Sequence, residues 1–62
     1  MKRYKDTFGN IAIQISDVET ITRDWNCDGD IYPMTGIWIE WEIDGNRDFI
    51  SIYHLEDHFT EI

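Results

Sequence analysis

The segment Ile37-Trp38-Ile39-Glu40-Trp41-Glu42-Ile43-Asp44-Gly45-Asn46-Arg47 decides the fold. Ile37, Ile39, Trp41 and Ile43 occupy every second position, and Trp38, Glu40 and Glu42 fill the gaps. Successive side chains of an extended chain point to opposite faces. The alternation therefore predicts a strand with one apolar face and one acidic face that carries a tryptophan. Asp44-Gly45-Asn46-Arg47 reads as a hairpin loop, because Asp-Gly accepts the left-handed backbone of a tight turn. Phe49 to Tyr53 then reads as the returning strand.

Upstream, Ile11, Ile13 and Ile15 alternate with Ala12, Gln14 and Ser16, which predicts a half-buried strand with β-branched residues on one face. Phe8-Gly9-Asn10 is a turn signal, and Arg3 to Thr7 would supply the first strand of a hairpin. Asp17 to Trp25 has two readings. Ser16 and Glu19 have the spacing of a helix capping box, but Val18, Thr20, Ile21 and Thr22 favour a third strand, the reading preferred here. Asn26 to Thr35 contains Asp28-Gly29-Asp30 and Pro33 and reads as a loop. Leu55, Phe59 and Ile62 fall at i, i+4 and i+7, one stripe of a short C-terminal helix, with Glu56, Asp57 and Glu61 off it. The expected fold is mainly β (α+β): an antiparallel β-meander of four to five strands, with a short C-terminal helix packed on one face. With 62 residues, it forms a single domain spanning 1–62.

Thirteen Asp and Glu oppose five Lys and Arg, for a net charge of −8. Lys2, Arg3 and Lys5 lie in the first five residues, so from Asp6 onward only Arg23 and Arg47 oppose the acids. Such a field repels nucleic acid and anionic membranes and attracts basic proteins. Direct nucleic-acid binding and membrane association are therefore not expected. One cysteine, Cys27, precludes an internal disulfide. With no apolar signal region and no run of about 20 apolar residues, a cytoplasmic location is expected.

Three constellations could carry chemistry. Asp24-Trp25-Asn26-Cys27-Asp28-Gly29-Asp30-Ile31 resembles the first half of the calcium loop of EF-hands and dockerins. Asp24, Asn26 and Asp28 fall at positions one, three and five, Gly29 at the sharp turn and Ile31 at the apolar eighth position. Asp24, Asn26, Asp28 and Asp30 are the candidate cation ligands. Position twelve, normally a bidentate acid, is Thr35, and Pro33 interrupts the second helix. An Asx-rich loop between strands is therefore preferred, and no cofactor is expected. His54 and His58 share one helix face at i, i+4 and could hold zinc, with Cys27 or a carboxylate as third ligand. A Cys27 nucleophile meets an acidic field, which raises a thiol pKa. Gly9, Gly29, Gly36 and Gly45 sit in separate turns and build no phosphate cradle. No enzymatic activity is expected.

The remaining constellation is the face bearing Trp38, Glu40 and Glu42. Tryptophan is enriched at interface hot spots, and acids around it would pair with Lys or Arg of a partner. Trp38, Glu40, Glu42, Asp44 and Asp48, with Asp28 and Asp30 from the loop, form the expected partner-binding set. Alternatively, Trp38 packs under the Trp25 loop or sits in a homodimer interface.

In size, acidity and compact β scaffold the chain resembles phage-encoded anti-defence proteins, such as anti-CRISPR proteins and other DNA mimics. That resemblance implies an inhibitor of a basic, nucleic-acid-binding protein, such as a CRISPR effector, a nuclease or a polymerase subunit. From Asp17 to Ile62 the order of segments is also similar to small bacterial regulatory domains of the flagellar FlbD type, which supports the fold only. The alternative function is a structural or adaptor module that self-associates.

Overall fold

The computed structural model describes residues Met1–Ile62. Six strands and one helix follow in the order β1 (Arg3–Asp6), β2 (Ile11–Gln14), β3 (Glu19–Arg23), β4 (Tyr32–Trp41), β5 (Arg47–Ser51), α1 (Ile52–His58) and β6 (Phe59–Glu61). All pairings are antiparallel, and the helix packs on one face, so the fold is mainly β, α+β, as expected. No helix is long and apolar enough to cross a membrane.

β4 is the centre of the sheet. Along one edge it pairs with β5 from Gly36 to Glu40. Along the other it pairs with β3 from Tyr32 to Gly36, then with β2 from Ile39 to Trp41. β2 and β3 thus act as one long strand interrupted at Ile15–Val18. Those four residues face only Ile37 and Trp38, a two-residue bulge. Ile15 N–H still donates to the Trp38 carbonyl (2.9 Å). The Trp38 N–H, which a regular ladder would satisfy with a carbonyl, donates to the Ser16 hydroxyl instead (2.9 Å). Ser16 serves a sheet rather than capping a helix, and Glu19 begins a strand. Within Asp17 to Trp25 the preferred strand forms, over Glu19–Arg23.

The Phe8-Gly9-Asn10 turn and the Asp44-Gly45 hairpin form as the sequence predicts, the latter with shifted limits. Asp6 accepts from the Phe8 and Asn10 amides, and Gly9 takes a positive φ of 87°. In the second hairpin the strand ends at Trp41, and the loop runs from Glu42 to Asn46. Ile43, expected on the inner face, is 81% exposed.

Two expectations are corrected. The loop assigned to Asn26–Thr35 ends at Ile31, and Tyr32–Thr35 continue β4 with Pro33 opposite Thr22. A proline is tolerated there because β4 has only β3 beside it at that level, so the missing N–H falls on an open edge. The C-terminal helix stops at His58, and Phe59–Glu61 form a sixth strand on the outer edge of β1. Leu55 and Phe59 do pack on the core, but Ile62 lies beyond the helix and is exposed. An isolated two-turn helix is marginal, whereas the open edge of β1 offers unpaired backbone groups.

The core is thin: Tyr4, Ala12, Ile37 and Ile39 are its only buried side chains, with Trp41, Ile50, Leu55 and Phe59 packed around them. Tyr4, Ala12 and Trp41 are register neighbours across three strands, so the small residue sits between two large rings. Ile11, Ile13 and Ile15 therefore occupy the other face, half-buried.

Gly36 sets the close approach of β5. A Cβ there would lie 2.0 Å from the Ile50 carbonyl oxygen and 2.8 Å from its carbon. Both are backbone atoms, so a clash cannot be relieved by a rotamer change. We expect Gly36→Ala to cost about 3 kcal/mol or more, read as a lowered urea midpoint. Ser16→Ala should cost about 1 kcal/mol and speed hydrogen exchange at the Trp38 amide.

Candidate functional site

Trp38 lies on the face opposite Ile37 and Ile39, where alternation puts it, and it packs within the chain. Its ring meets Phe49 edge-on (5.4 Å between centroids, 67° between planes), and Phe49 stacks on Trp25 (5.2 Å, 24°). Trp38 Nε1 donates to Glu19 (3.3 Å), and Trp25 Nε1 donates to the Tyr32 carbonyl (2.9 Å). The Arg23 guanidinium covers Trp25 at 4.3 Å. Phe49 pairs with Trp38, six residues along β4 from Tyr32, a separation of about 20 Å in a flat strand. Trp25 touches both levels, so the sheet is not flat between them.

The acids beside Trp38 are partly neutralised. Glu40 accepts from Arg47 Nε (3.2 Å), and Glu42 accepts from Arg3 (3.0 Å). Arg3, Ile13, Glu40 and Arg47 are register neighbours across four strands, which brings a basic N-terminal residue over the acidic face. Asp48 pairs with Ile39 and thus belongs to the opposite, helix-covered face, where it accepts from Trp41 Nε1 (2.7 Å). Asp44 lies in the Glu42–Asn46 loop and holds the Asn46 amide and side chain. Asp28 and Asp30 lie in the Asp24–Ile31 loop, at the end of β4 opposite the Glu42–Asn46 loop. The expected set of seven therefore does not converge on one patch.

Two of the three carboxylates of the Asp24–Ile31 loop, those of Asp24 and Asp28, bind the loop's own amides. Asp24 accepts from the Gly29 (2.8 Å) and Asp28 (3.1 Å) amides, and Asp28 accepts from the Asp30 amide (3.0 Å). Asn26 donates to the Tyr32 hydroxyl (3.4 Å). Cys27 is exposed and takes a left-handed φ of 57°. The His54 and His58 rings do lie side by side, 4.5 Å apart and tilted by 42°, as i, i+4 spacing predicts. No group of three His, Cys, Asp or Glu forms anywhere in a geometry able to hold a metal.

A site that the sequence did not reveal lies at the Trp41 end. The Glu42 amide donates to the Ile11 carbonyl, which sets the Thr7–Asn10 turn beside the Glu42–Asn46 loop. Phe8 (88% exposed) and Ile43 (81% exposed) project there. Between the turn and α1 opens a cleft of about 440 Å³, lined by Asp6, Thr7, Phe8, Trp41, Ile50, His54, His58 and Phe59. Trp41 and Phe59 are tilted against each other at 5.9 Å. The available signal was a large apolar residue inside a turn, Phe8 before Gly9-Asn10, where nothing local can bury it.

Amides from Gly29 above all, then from Asp28, Cys27 and Asn26, hold the Asp24 carboxyl below its ordinary value of 3.8, against a smaller desolvation effect. At Asp6, desolvation pushes up, but donors from Asn10, Phe8 and Gly9 together hold the group below 3.8. Both depressed values mean that the carboxylate form is favoured by folding. Their contribution is fully present above pH 3.8 and is lost as the pH falls through the lower folded values. In an NMR titration, the Gly29 and Asn10 amide shifts should therefore inflect below pH 3.8. The chain matches no known family model, no curated protein and no solved structure.

Proposed function

We propose that the chain is a small, non-catalytic, acidic inhibitor that docks on a basic, nucleic-acid-binding protein, such as a CRISPR effector, nuclease or polymerase subunit, and blocks its nucleic-acid site. The observation that carries this reading is the imbalance of paired charge. Of thirteen side-chain carboxylates, three are ion-paired, by Lys2, Arg3 and Arg47, which leaves ten without a basic partner. Arg23 is engaged by Trp25. The free acids occur in both end loops, on α1 and at the edge of the apolar end. Surface charge costs little where water solvates it and gains strength where a partner's cations replace that water. Phe8 and Ile43 add exposed apolar surface that a docking partner would bury.

A second reading, a self-associating adaptor module, draws on the open outer edge of β5, which pairs only with β4. Two copies would each bring −8 to that contact, which disfavours it at low salt.

The test captures basic proteins from a host lysate on the immobilised chain and assays each captured protein for nucleic-acid binding. The expected result is capture at about 50 mM salt, release by about 200 mM, and competition between the chain and a DNA or RNA duplex. Asp30→Lys with Asp57→Lys, both exposed and outside the ion pairs, should weaken binding about tenfold. Binding indifferent to salt, or captured proteins that still bind nucleic acid, would overturn the reading. A sedimentation mass of a dimer at all salt concentrations would favour the adaptor module.

A further inference from the structure

We infer that the cleft between the Thr7–Asn10 turn and α1 seats one arginine side chain of the protein partner, an inference that rests on the protein-binding reading above. The walls are aromatic and aliphatic: Phe8, Trp41, Ile50 and Phe59. A guanidinium is planar and weakly hydrated, so it stacks on such rings and still presents a fork of donors at its edge. The acceptor for that fork is on the cleft wall. Asp6 already accepts three hydrogen bonds, two at Oδ1 and one at Oδ2, so the site is fixed before any ligand arrives. A carboxylate offers about four lone-pair sites, which leaves capacity at Oδ2. The donors that order the turn also keep Asp6 ionised to low pH. The indole of Trp41 is held from behind by Asp48, so its orientation does not depend on an occupant.

Charge selects among possible occupants. No Lys or Arg lines the cleft. The nearest base in sequence, Lys5, pairs with Ile11 and Thr60 on the opposite face of β1 from Asp6's neighbours Tyr4 and Phe59. His54 and His58 complete the rim. A second copy of this chain is a poor fit, because it too carries −8. An uncharged apolar side chain would fill the rings but leave the Asp6 carboxylate facing a dehydrated contact. A cationic, flat side chain satisfies both parts. Lysine supplies charge without the planar stacking surface.

The experiment is an NMR titration of the full chain at pH 7.5 with acetyl-Gly-Arg-Gly-amide and, separately, with its neutral isostere containing citrulline. The Trp41 indole N–H and the Asp6–Asn10 amides should shift with the arginine peptide, and citrulline should bind at least fivefold more weakly. Phe8→Ala removes an exposed ring that the fold does not need, so it should keep the spectrum of the core and weaken the arginine peptide at least fivefold. Equal affinity for citrulline, no effect of Phe8→Ala, shifts centred on the Trp25 or Trp38 indoles, or no shift at all would overturn the inference. If the cleft fails these tests while basic proteins are still captured and blocked, the inhibitor reading survives without this anchor. If the arginine peptide binds as described but no basic protein is captured, the inhibitor reading falls and the cleft stands as an arginine site.

Discussion

One strand has to serve three others. β4 takes β5 along one edge and β2 with β3 along the other, and the exchange of partners happens around Gly36. A side chain at that position would drive into the Ile50 backbone. The bulge at Ile15–Val18 is the matching adjustment on the opposite edge, where Ser16 supplies the acceptor that the interrupted ladder lacks. Bulges bend strands and increase their twist. Together the bare glycine and the extra residues let a ten-residue strand coil. Its two faces then belong to two apolar clusters, the helix-covered core and the Trp25–Phe49–Trp38 stack.

Much of this was legible in local pattern. The alternation through Ile37–Trp41, the Asp44-Gly45 turn and the Phe8-Gly9-Asn10 turn each encode their conformation in a few neighbouring residues. What was hidden depends on distant partners. Pro33 reads as a breaker unless one knows that β4 has an open edge there. Leu55, Phe59 and Ile62 share helical spacing, yet the last three residues before Ile62 pair with β1, because that edge is within reach. Which face of Ile11–Gln14 lies inward is also set from outside: Tyr4 and Trp41 flank the position, and only Ala12 fits between their rings.

The same distinction governs the candidate site. The acidity of the chain is a property of composition, but its availability is a property of register. Glu40 and Glu42 look free in the sequence and are paired in the fold, because four strands align Arg3 and Arg47 with them. Asp48 looks adjacent to them and faces the other way. Trp38, the obvious anchor, is occupied with Phe49 and Glu19. The most exposed aromatic is Phe8, whose turn would be unremarkable without the Glu42–Asn46 loop and α1 beside it.

Pairing of β6 with β1 brings the two ends of the chain together: the Ile62 amide donates to the Arg3 carbonyl, and Lys2 meets Glu61 at 3.7 Å. Residues 2–3 and 61–62 thus lie within reach of a short covalent bridge. Joining the ends and reopening the chain within the Asp24–Ile31 loop would convert the β3–β4 connection into new termini while leaving every strand its present neighbours. A ring closed without reopening would restrict the unfolded chain more than the folded one. For a domain with four buried apolar side chains, that loss of unfolded freedom is a source of stability the core itself has no room to provide.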